Sequence, residues 1–196
     1  MIQLFTILLN IWGLLIGKPV LSADDMIGVK GPLIFNKVSF ELHTIERPEP
    51  NVYIQMYFPK NESFENYNQM LTLYVLDTAL EIDKSTSRKI KELKERKKSD
   101  LKCFYNITED KDGKYFIIDY LTTEMSNDKM TSAEYNVFKY QTIKIGSRDA
   151  ILIYAYSWKS YDEEVGQFIN TIPDFREDFV NEMIKKPTPQ ISLGGE

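Results

Sequence analysis

The sequence predicts an α+β protein, in which a mostly antiparallel sheet of six to seven strands is covered by helices in an α-β-α sandwich-like arrangement. Segments in which apolar and polar residues alternate recur along the chain, as expected for strands with one buried face. Short turn signals separate several of these segments and favour antiparallel neighbours. Two longer segments carry residues at helical spacing, and there is no regular strand–helix alternation of the kind that builds a parallel sheet.

The first 22 residues are predicted to be a secretory signal peptide. The segment from Leu4 to Ile16 is almost wholly apolar, Lys18 follows it, and small residues predict cleavage after Ser22 or Ala23. As a helix, these 13 residues extend about 20 Å, which is short of the roughly 30 Å hydrocarbon core that a membrane anchor, the alternative, must cross. The mature chain is expected to have no transmembrane span and to reside in the periplasm or outside the cell.

Beyond the leader, the sequence divides into three parts. Residues 23–32 are predicted to be a flexible lead-in, residues 33–186 a single α+β domain, and residues 187–196 a tail. A chain of 196 residues is long enough for one ordinary domain and too short for two large ones. Because it contains only 9 Gly, 8 Pro and 1 Cys, collagen-like, disordered and disulfide-dense proteins are excluded.

The first strands are predicted from alternation in the first half of the domain. Residues 38–42 and 52–58 alternate in this way, and the two prolines within 47–50 predict a connector between them. These two strands are expected to form an antiparallel pair. Residues 69–76 are a third candidate strand, and a charged helix is predicted from about residue 83 to residue 98.

Four more strands are predicted in the second half. Residues 101–108 and 114–122 flank the turn signal Asp112-Gly113 and are expected to form a hairpin. Residues 133–145 form the next strand. Residues 150–158 begin with apolar side chains on both faces, which is typical of a central, covered strand.

A final helix is predicted to begin near Ser160, which together with Glu163 has the pattern of a capping box. Apolar residues at helical spacing then continue as far as Ile184 and give this helix one buried face. Pro173 lies within the pattern and is expected to interrupt the helix.

Residues suited to catalysis or metal binding are scarce. The chain has one histidine, His43, and one cysteine, Cys103, on well-separated segments, so the sequence predicts no catalytic triad and no zinc or iron site. The segment around Gly113 resembles a calcium loop only superficially, because the hydroxyl of Thr108 stands in place of the first acid and the shorter Asp119 stands in place of the bidentate Glu. We predict no catalytic residue, no metal and no cofactor. Cys103 is expected to be a buried apolar residue, and a reactive thiol is the alternative.

The segment from Lys84 to Lys102 is strongly basic, with nine basic and three acidic residues in a chain whose net charge is −5. Such asymmetry is typical of a surface that docks an acidic partner. The alternative is a solvated helix whose charges pair with each other at a spacing of four residues. The negative net charge argues against general nucleic-acid binding. The candidate partner surface comprises Arg88, Lys91, Lys94 and Lys98.

Aromatic residues provide the second candidate surface. Tyr154, Tyr156 and Trp158 project from one face of their predicted strand and form a candidate aromatic contact face. Cross-strand packing beneath a helix is the alternative interpretation of the same pattern.

The order of elements resembles that of PsbP/Mog1-like proteins, an α-β-α sandwich found in small exported bacterial proteins. Residues 134–140, 151–156 and 160–172 carry the resemblance, which covers about the last third of the chain. Residues 64–72 are also similar to a segment of uncharacterised exported proteins of Gram-negative bacteria. Neither resemblance includes a catalytic motif, so together they imply a binding or assembly role.

The sequence therefore predicts an exported, non-catalytic binding or assembly module whose partner is an unknown protein or envelope component. Two alternatives remain open. One is a hydrolase that uses paired carboxylates, and the other is a carrier of a small apolar ligand.

Overall fold

A computed structural model of the chain describes residues 25–78 and 81–193. The predicted signal peptide lies outside this part of the chain. The described residues form one sheet of eight antiparallel strands in the order β1-β2-β3-β4-β8-β7-β6-β5, with two α-helices and one short 3₁₀ turn at Asp162–Glu164. The strands are β1 (Leu33–Phe35), β2 (Val38–Glu49), β3 (Val52–Phe58), β4 (Gln69–Leu76), β5 (Phe104–Glu109), β6 (Tyr115–Ser126), β7 (Lys129–Ile145) and β8 (Arg148–Tyr161), and the helices are α1 (Ile82–Arg96) and α2 (Val165–Lys185).

The predicted fold class, with six to seven strands covered by helices, was wrong. The protein is mainly a curled antiparallel sheet of eight strands, and only 23% of the described chain is helical. Segments without regular structure take part in covering the sheet, because Tyr67 packs on one face and Ile27 and Ile191 pack on the other. In the described part of the chain, neither helix has the combination of length and apolarity needed to cross a membrane.

Local alternation predicted the central strands well. The strands β3 and β4 have the predicted bounds, and the antiparallel pairing of the first two predicted strands is confirmed. The connector predicted at 47–50 was wrong, because β2 continues to Glu49. A register shift between Glu46 and Glu49 lets the strand pass Pro48 and still pair with β3.

The predicted hairpin is also present. The strands β5 and β6 pair around the Asp112-Gly113 turn, with Gly113 at a φ of 68°, a conformation that glycine adopts without steric cost. Residues 101–103, predicted to open β5, instead form a turn closed by a hydrogen bond from the Cys103 N–H to the Asp100 carbonyl (3.0 Å). The strand β8 lies between β4 and β7, which confirms its predicted central position.

The beginning of α2 differs from the prediction. Ser160 and Tyr161 belong to β8, where they pair with Ala133 and Ser132, so the predicted capping box does not form and the helix begins at Val165. Pro173 lies inside α2 and does not end it. Apolar side chains on both sides of Pro173 bury against the same core, and this packing holds the two halves of the helix on one face.

The face of the sheet under α2, called here the α2 face, is dominated by aromatic contacts. Phe179 of α2 lies 5.2 Å from Tyr156 and 5.5 Å from Trp158 between ring centroids. Phe35 of β1 stacks on Tyr156 at 4.4 Å. The opposite, α1 face buries Leu93 of the shorter helix beside a second apolar cluster of the sheet.

The segments that flank the domain also pack on the α2 face. Ile27 is fully buried, Tyr57 donates its hydroxyl proton to the Val29 carbonyl (2.5 Å), and Ser192 donates its N–H to the Ile27 carbonyl (2.9 Å). Ile191 is 8% exposed. Residues 25–32 and 187–193 therefore contact each other and the sheet.

Candidate functional site

The aromatic groove lies between the last residues of β8 and the first half of α2. It has a volume of about 510 Å³ and three aromatic walls, Trp158, Phe168 and Phe175. The ring centroid of Trp158 is 4.8 Å from that of Phe168 and 5.9 Å from that of Phe175, in both cases edge to face. Phe175 is 45% exposed, which is unusual for so large an apolar side chain on a helix that otherwise buries its aromatic rings.

The rim of the aromatic groove is polar and anchored to the sheet. Asn68 and Lys159 exchange two hydrogen bonds: the Lys159 N–H donates to the Asn68 carbonyl (2.7 Å), and the Asn68 amide donates to the Lys159 carbonyl (3.1 Å). The Lys159 ammonium lies 5.3 Å and 5.0 Å above the rings of Tyr67 and Tyr161. Hydrogen-bonding groups and both signs of charge therefore border an apolar floor. The polar lining residues are Asn68, Lys159, Ser160, Glu164, Gln167 and Thr171.

The predicted aromatic contact face is divided by the structure. Tyr154 and Tyr156 are 5% and 1% exposed and lie beneath α2, where burial raises the pKa of both phenols well above the usual value. The Tyr156 hydroxyl donates to the Gln69 side chain at 3.0 Å. Trp158, two residues further along β8, is partly exposed and reaches the groove. Phe168 and Phe175 complete the site. The sequence predicts both in the buried stripe of the helix, which is confirmed for Phe168 (6% exposed) and wrong for Phe175.

A second opening, the hairpin groove, lies between the end of α1 and the β6–β7 turn and has a volume of about 550 Å³. Leu101 is 91% exposed and Met125 is 57% exposed at its wall. Arg96 contacts the carboxylates of both Asp100 (3.4 Å) and Glu124 (2.8 Å). Asp100 also accepts hydrogen bonds from the N–H (2.7 Å) and the hydroxyl (2.8 Å) of Thr123, so its oxygens hold the loop to β6.

The predicted basic surface lies on the exposed side of α1 and in the turn that follows the helix. Arg88, Lys91, Lys94 and Lys98 are all exposed. Lys98, in the turn after α1, forms an ion pair with Glu95 of the helix at 2.6 Å, and part of this surface is therefore neutralised by a neighbouring side chain. The four residues lie apart from both grooves, whose linings include none of them.

The histidine and the cysteine of the chain, which could act as a base and a nucleophile, lie near opposite edges of the sheet. Exposed His43 is on β2, next to one edge of the sheet, and lies edge to face with Phe58 at 5.5 Å. Cys103 precedes β5 at the other edge and is 2% exposed, which confirms that it is a core residue; burial raises the pKa of its thiol. In the ranges 25–78 and 81–193, no three His, Cys, Asp or Glu side chains are grouped so that they could hold a metal ion.

Two carboxylates are buried in the sheet itself. Asp119 on the α2 face is fully buried and receives two hydrogen bonds from Arg176 of α2, at 2.7 and 2.8 Å. Glu134 on the α1 face is 5% exposed and accepts a hydrogen bond from the Tyr67 hydroxyl (3.0 Å). Burial raises the pKa of Glu134, and Lys159, its neighbour on β8, opposes that increase.

Comparisons with known proteins assign the family and no more than the family. Neither the curated proteins nor the solved structures include a significant match to this sequence. One family model matches residues 27–188, which is most of the chain and includes both grooves and both helices. The protein therefore belongs to this family, which is uncharacterised.

Proposed function

We propose that this protein is an exported, non-catalytic binding module, and that the aromatic groove is the surface with which it contacts a protein or another component of the cell envelope. The observation that carries the proposal is the exposure of Phe175 opposite Trp158, above a rim of hydrogen-bonding groups. An apolar centre with a polar border is the usual composition of a recognition site.

The other interpretation of the aromatic residues, packing beneath a helix, accounts for Tyr154 and Tyr156 and leaves Phe175 unexplained. Exposing an aromatic ring costs hydrophobic free energy at roughly 25 cal/mol for each Å² of apolar surface. A partner that covers Phe175 recovers this free energy. Aromatic residues also contribute a large share of binding energy at protein interfaces.

Export and a binding role fit the sequence features described above. The predicted signal peptide supplies the route, and the scarcity of residues suited to catalysis supports a binding role. A carboxylate-based hydrolase and a carrier of a small apolar ligand gain no specific observation from the described residues, because both grooves are open and Arg96 lies between the paired carboxylates of the hairpin groove.

The test compares the two candidate surfaces directly. The chain from residue 23 onward is immobilised and exposed at low salt to a cell-envelope fraction, alongside the variants Phe175→Ser and Lys94→Glu. Both substituted residues are exposed, so the fold is expected to be retained, and circular dichroism checks this. We expect a component that is retained by the wild type and by Lys94→Glu and is lost from Phe175→Ser.

Tryptophan fluorescence then places the component on the protein. The sequence contains two tryptophans, Trp12 and Trp158, so a chain that begins at residue 23 reports from Trp158 alone. Addition of the purified component is expected to shift this emission. Retention that is unaffected by Phe175→Ser contradicts binding at the aromatic groove. Retention that is lost with Lys94→Glu and with added salt indicates binding at the basic surface instead.

A further inference from the structure

The last strand of the sheet, β5, has one open edge in the described part of the chain. The N–H of Asp110 donates to the Tyr115 carbonyl (3.1 Å), which makes this a hydrogen-bonded pair of the β5–β6 ladder. Because such pairs alternate along an antiparallel ladder, the backbone groups of Tyr105, Ile107 and Glu109 point away from β6. They form a regular row of donors and acceptors along the edge.

The opposite edge of the sheet is protected in ways that β5 is not. There, β1 has three residues, and β2 has two register shifts and contains Pro48. These are common devices that prevent a further strand from adding to a sheet. The pairing of β5 with β6 runs through six residues without a shift, and Ile107 is 47% exposed on the open strand.

We propose that β5 pairs antiparallel with β5 of a second copy of this chain, so that the two sheets become continuous. The two-fold axis is perpendicular to the sheet and passes midway between the two Asn106 residues. In this register Tyr105 of one copy lies opposite Ile107 of the other, and the two residues exchange backbone hydrogen bonds. Their side chains form an aromatic and β-branched pair of the kind that stabilises antiparallel strands.

Charge favours a second copy as the occupant of this edge. Lys102 precedes β5 and is exposed, whereas Glu109 and Asp110 lie at the other end of the strand. Antiparallel pairing brings the basic end of each copy to the acidic end of the other. Lys102 lies in the turn before β5, so in the Asn106-centred register it comes near Glu109 and Asp110 of the other copy, and the symmetry produces this contact twice.

Sedimentation velocity of the chain from residue 23 onward tests the association. We expect a species of twice the monomer mass at a protein concentration of 100 µM, and its conversion to monomer in Ile107→Lys. The matched control is Ile34→Lys, since Ile34 is 50% exposed on β1 at the protected edge, and this variant is expected to remain dimeric. A monomeric wild type, or equal dissociation by both substitutions, overturns the proposal.

Disulfide formation tests the register. Residues on the axis form a pair without backbone hydrogen bonds, with Cα atoms about 4.5 Å apart, which is within the range for a disulfide. Asn106→Cys is therefore expected to cross-link two copies under mild oxidation. In Thr108→Cys the two cysteines are about 14 Å apart along the strands and are expected to stay reduced. Equal cross-linking of both variants, or of neither above the wild-type background, overturns the register.

Discussion

Each face of the sheet buries one carboxylate, and the two lie on neighbouring strands. They differ in their hydrogen-bond partners, which include a charged group for one carboxylate and are neutral for the other. On the α2 face, Arg176 donates two hydrogen bonds to the Asp119 carboxylate. The side chains of Asn106 (3.2 Å) and Tyr135 (3.3 Å) each donate one more. On the α1 face, Glu134 receives the neutral hydroxyl of Tyr67. The first carboxylate ties a helix to the sheet through a charge-assisted contact, and the second is held in a site that disfavours its charge.

This difference indicates that the two helices are attached by different means. The α2 helix combines a bidentate ion pair with the ring contacts of Phe179, both of which require one particular position of the helix. The α1 helix rests on Leu93 and on Lys89, whose ammonium lies 4.6 Å above the Tyr120 ring. We therefore expect α2 to contribute more to stability, and the α1 face to give stability its dependence on pH.

The largest expected effect comes from truncation of the aromatic core. Phe179→Ala removes a ring that contacts the rings of Phe35, Tyr135 and Tyr156, and it is expected to lower the free energy of unfolding by about 4 kcal/mol. Leu93→Ala on α1 is expected to cost about 3 kcal/mol, because a smaller side chain leaves a smaller cavity. Urea unfolding measures both, and a larger loss for Leu93→Ala contradicts the proposed difference between the helices.

The ion pair gives the next effect. Arg176→Met leaves Asp119 buried without a counter-charge and is expected to cost about 3 kcal/mol, the lower end of the range for a buried pair, because the Arg176 side chain is 35% exposed. Adding Asp119→Asn removes the stranded charge, so the double variant is expected to be more stable than Arg176→Met alone. If the double variant is the less stable of the two, the unpaired charge of Asp119 is not the cause of the stability lost in Arg176→Met.

The sequence predicted those parts of the fold that local pattern determines. Alternation predicted the strands β3 and β4, and helix-start residues predicted the helix α1. In these segments the structure that the local sequence favours is also the structure that packs in the fold. The errors occur where pairing with a strand that is distant in sequence determines the secondary structure. Ser160 has the side chain of a helix cap, yet it pairs with Ala133 as part of β8, since the long edge of β7 offers a full ladder of hydrogen bonds.

The candidate site was predictable only in part, for a related reason. Trp158 lies in an alternating strand and was selected. Phe168 and Phe175 belong to a helical stripe that predicts burial, which holds for Phe168 (6% exposed) and fails for Phe175 (45% exposed). The helical pattern does not determine how far the sheet covers each residue of the stripe, because this depends on tertiary packing. The buried pair of Asp119 and Arg176 joins residues 57 positions apart. The one signal for it was an acid within an apolar strand.

The smallest expected effect, and the one most specific to the α1 face, concerns pH. The pKa of Glu134 is raised in the folded protein, mainly by burial, above the ordinary value of 4.5 that applies to the unfolded chain. At pH values between these two pKa values, the folded protein binds more protons than the unfolded chain, so stability falls as the pH rises. The contribution of the protonated group is complete below pH 4.5 and is lost as the pH rises through the folded pKa.

Glu134→Gln is expected to remove this loss, because glutamine keeps the shape and the acceptor for Tyr67 and carries no charge. Relative to the wild type, the variant should gain stability progressively as the pH rises above 4.5 and reach a constant advantage above the folded pKa, smaller than any of the losses predicted above. Urea unfolding across this pH range measures the difference. Glu41→Gln, at an exposed position of β2, is the matched control for removing a carboxylate. If both variants change with pH in the same way, burial of Glu134 is not the cause, and the contrast between the two faces reduces to packing alone.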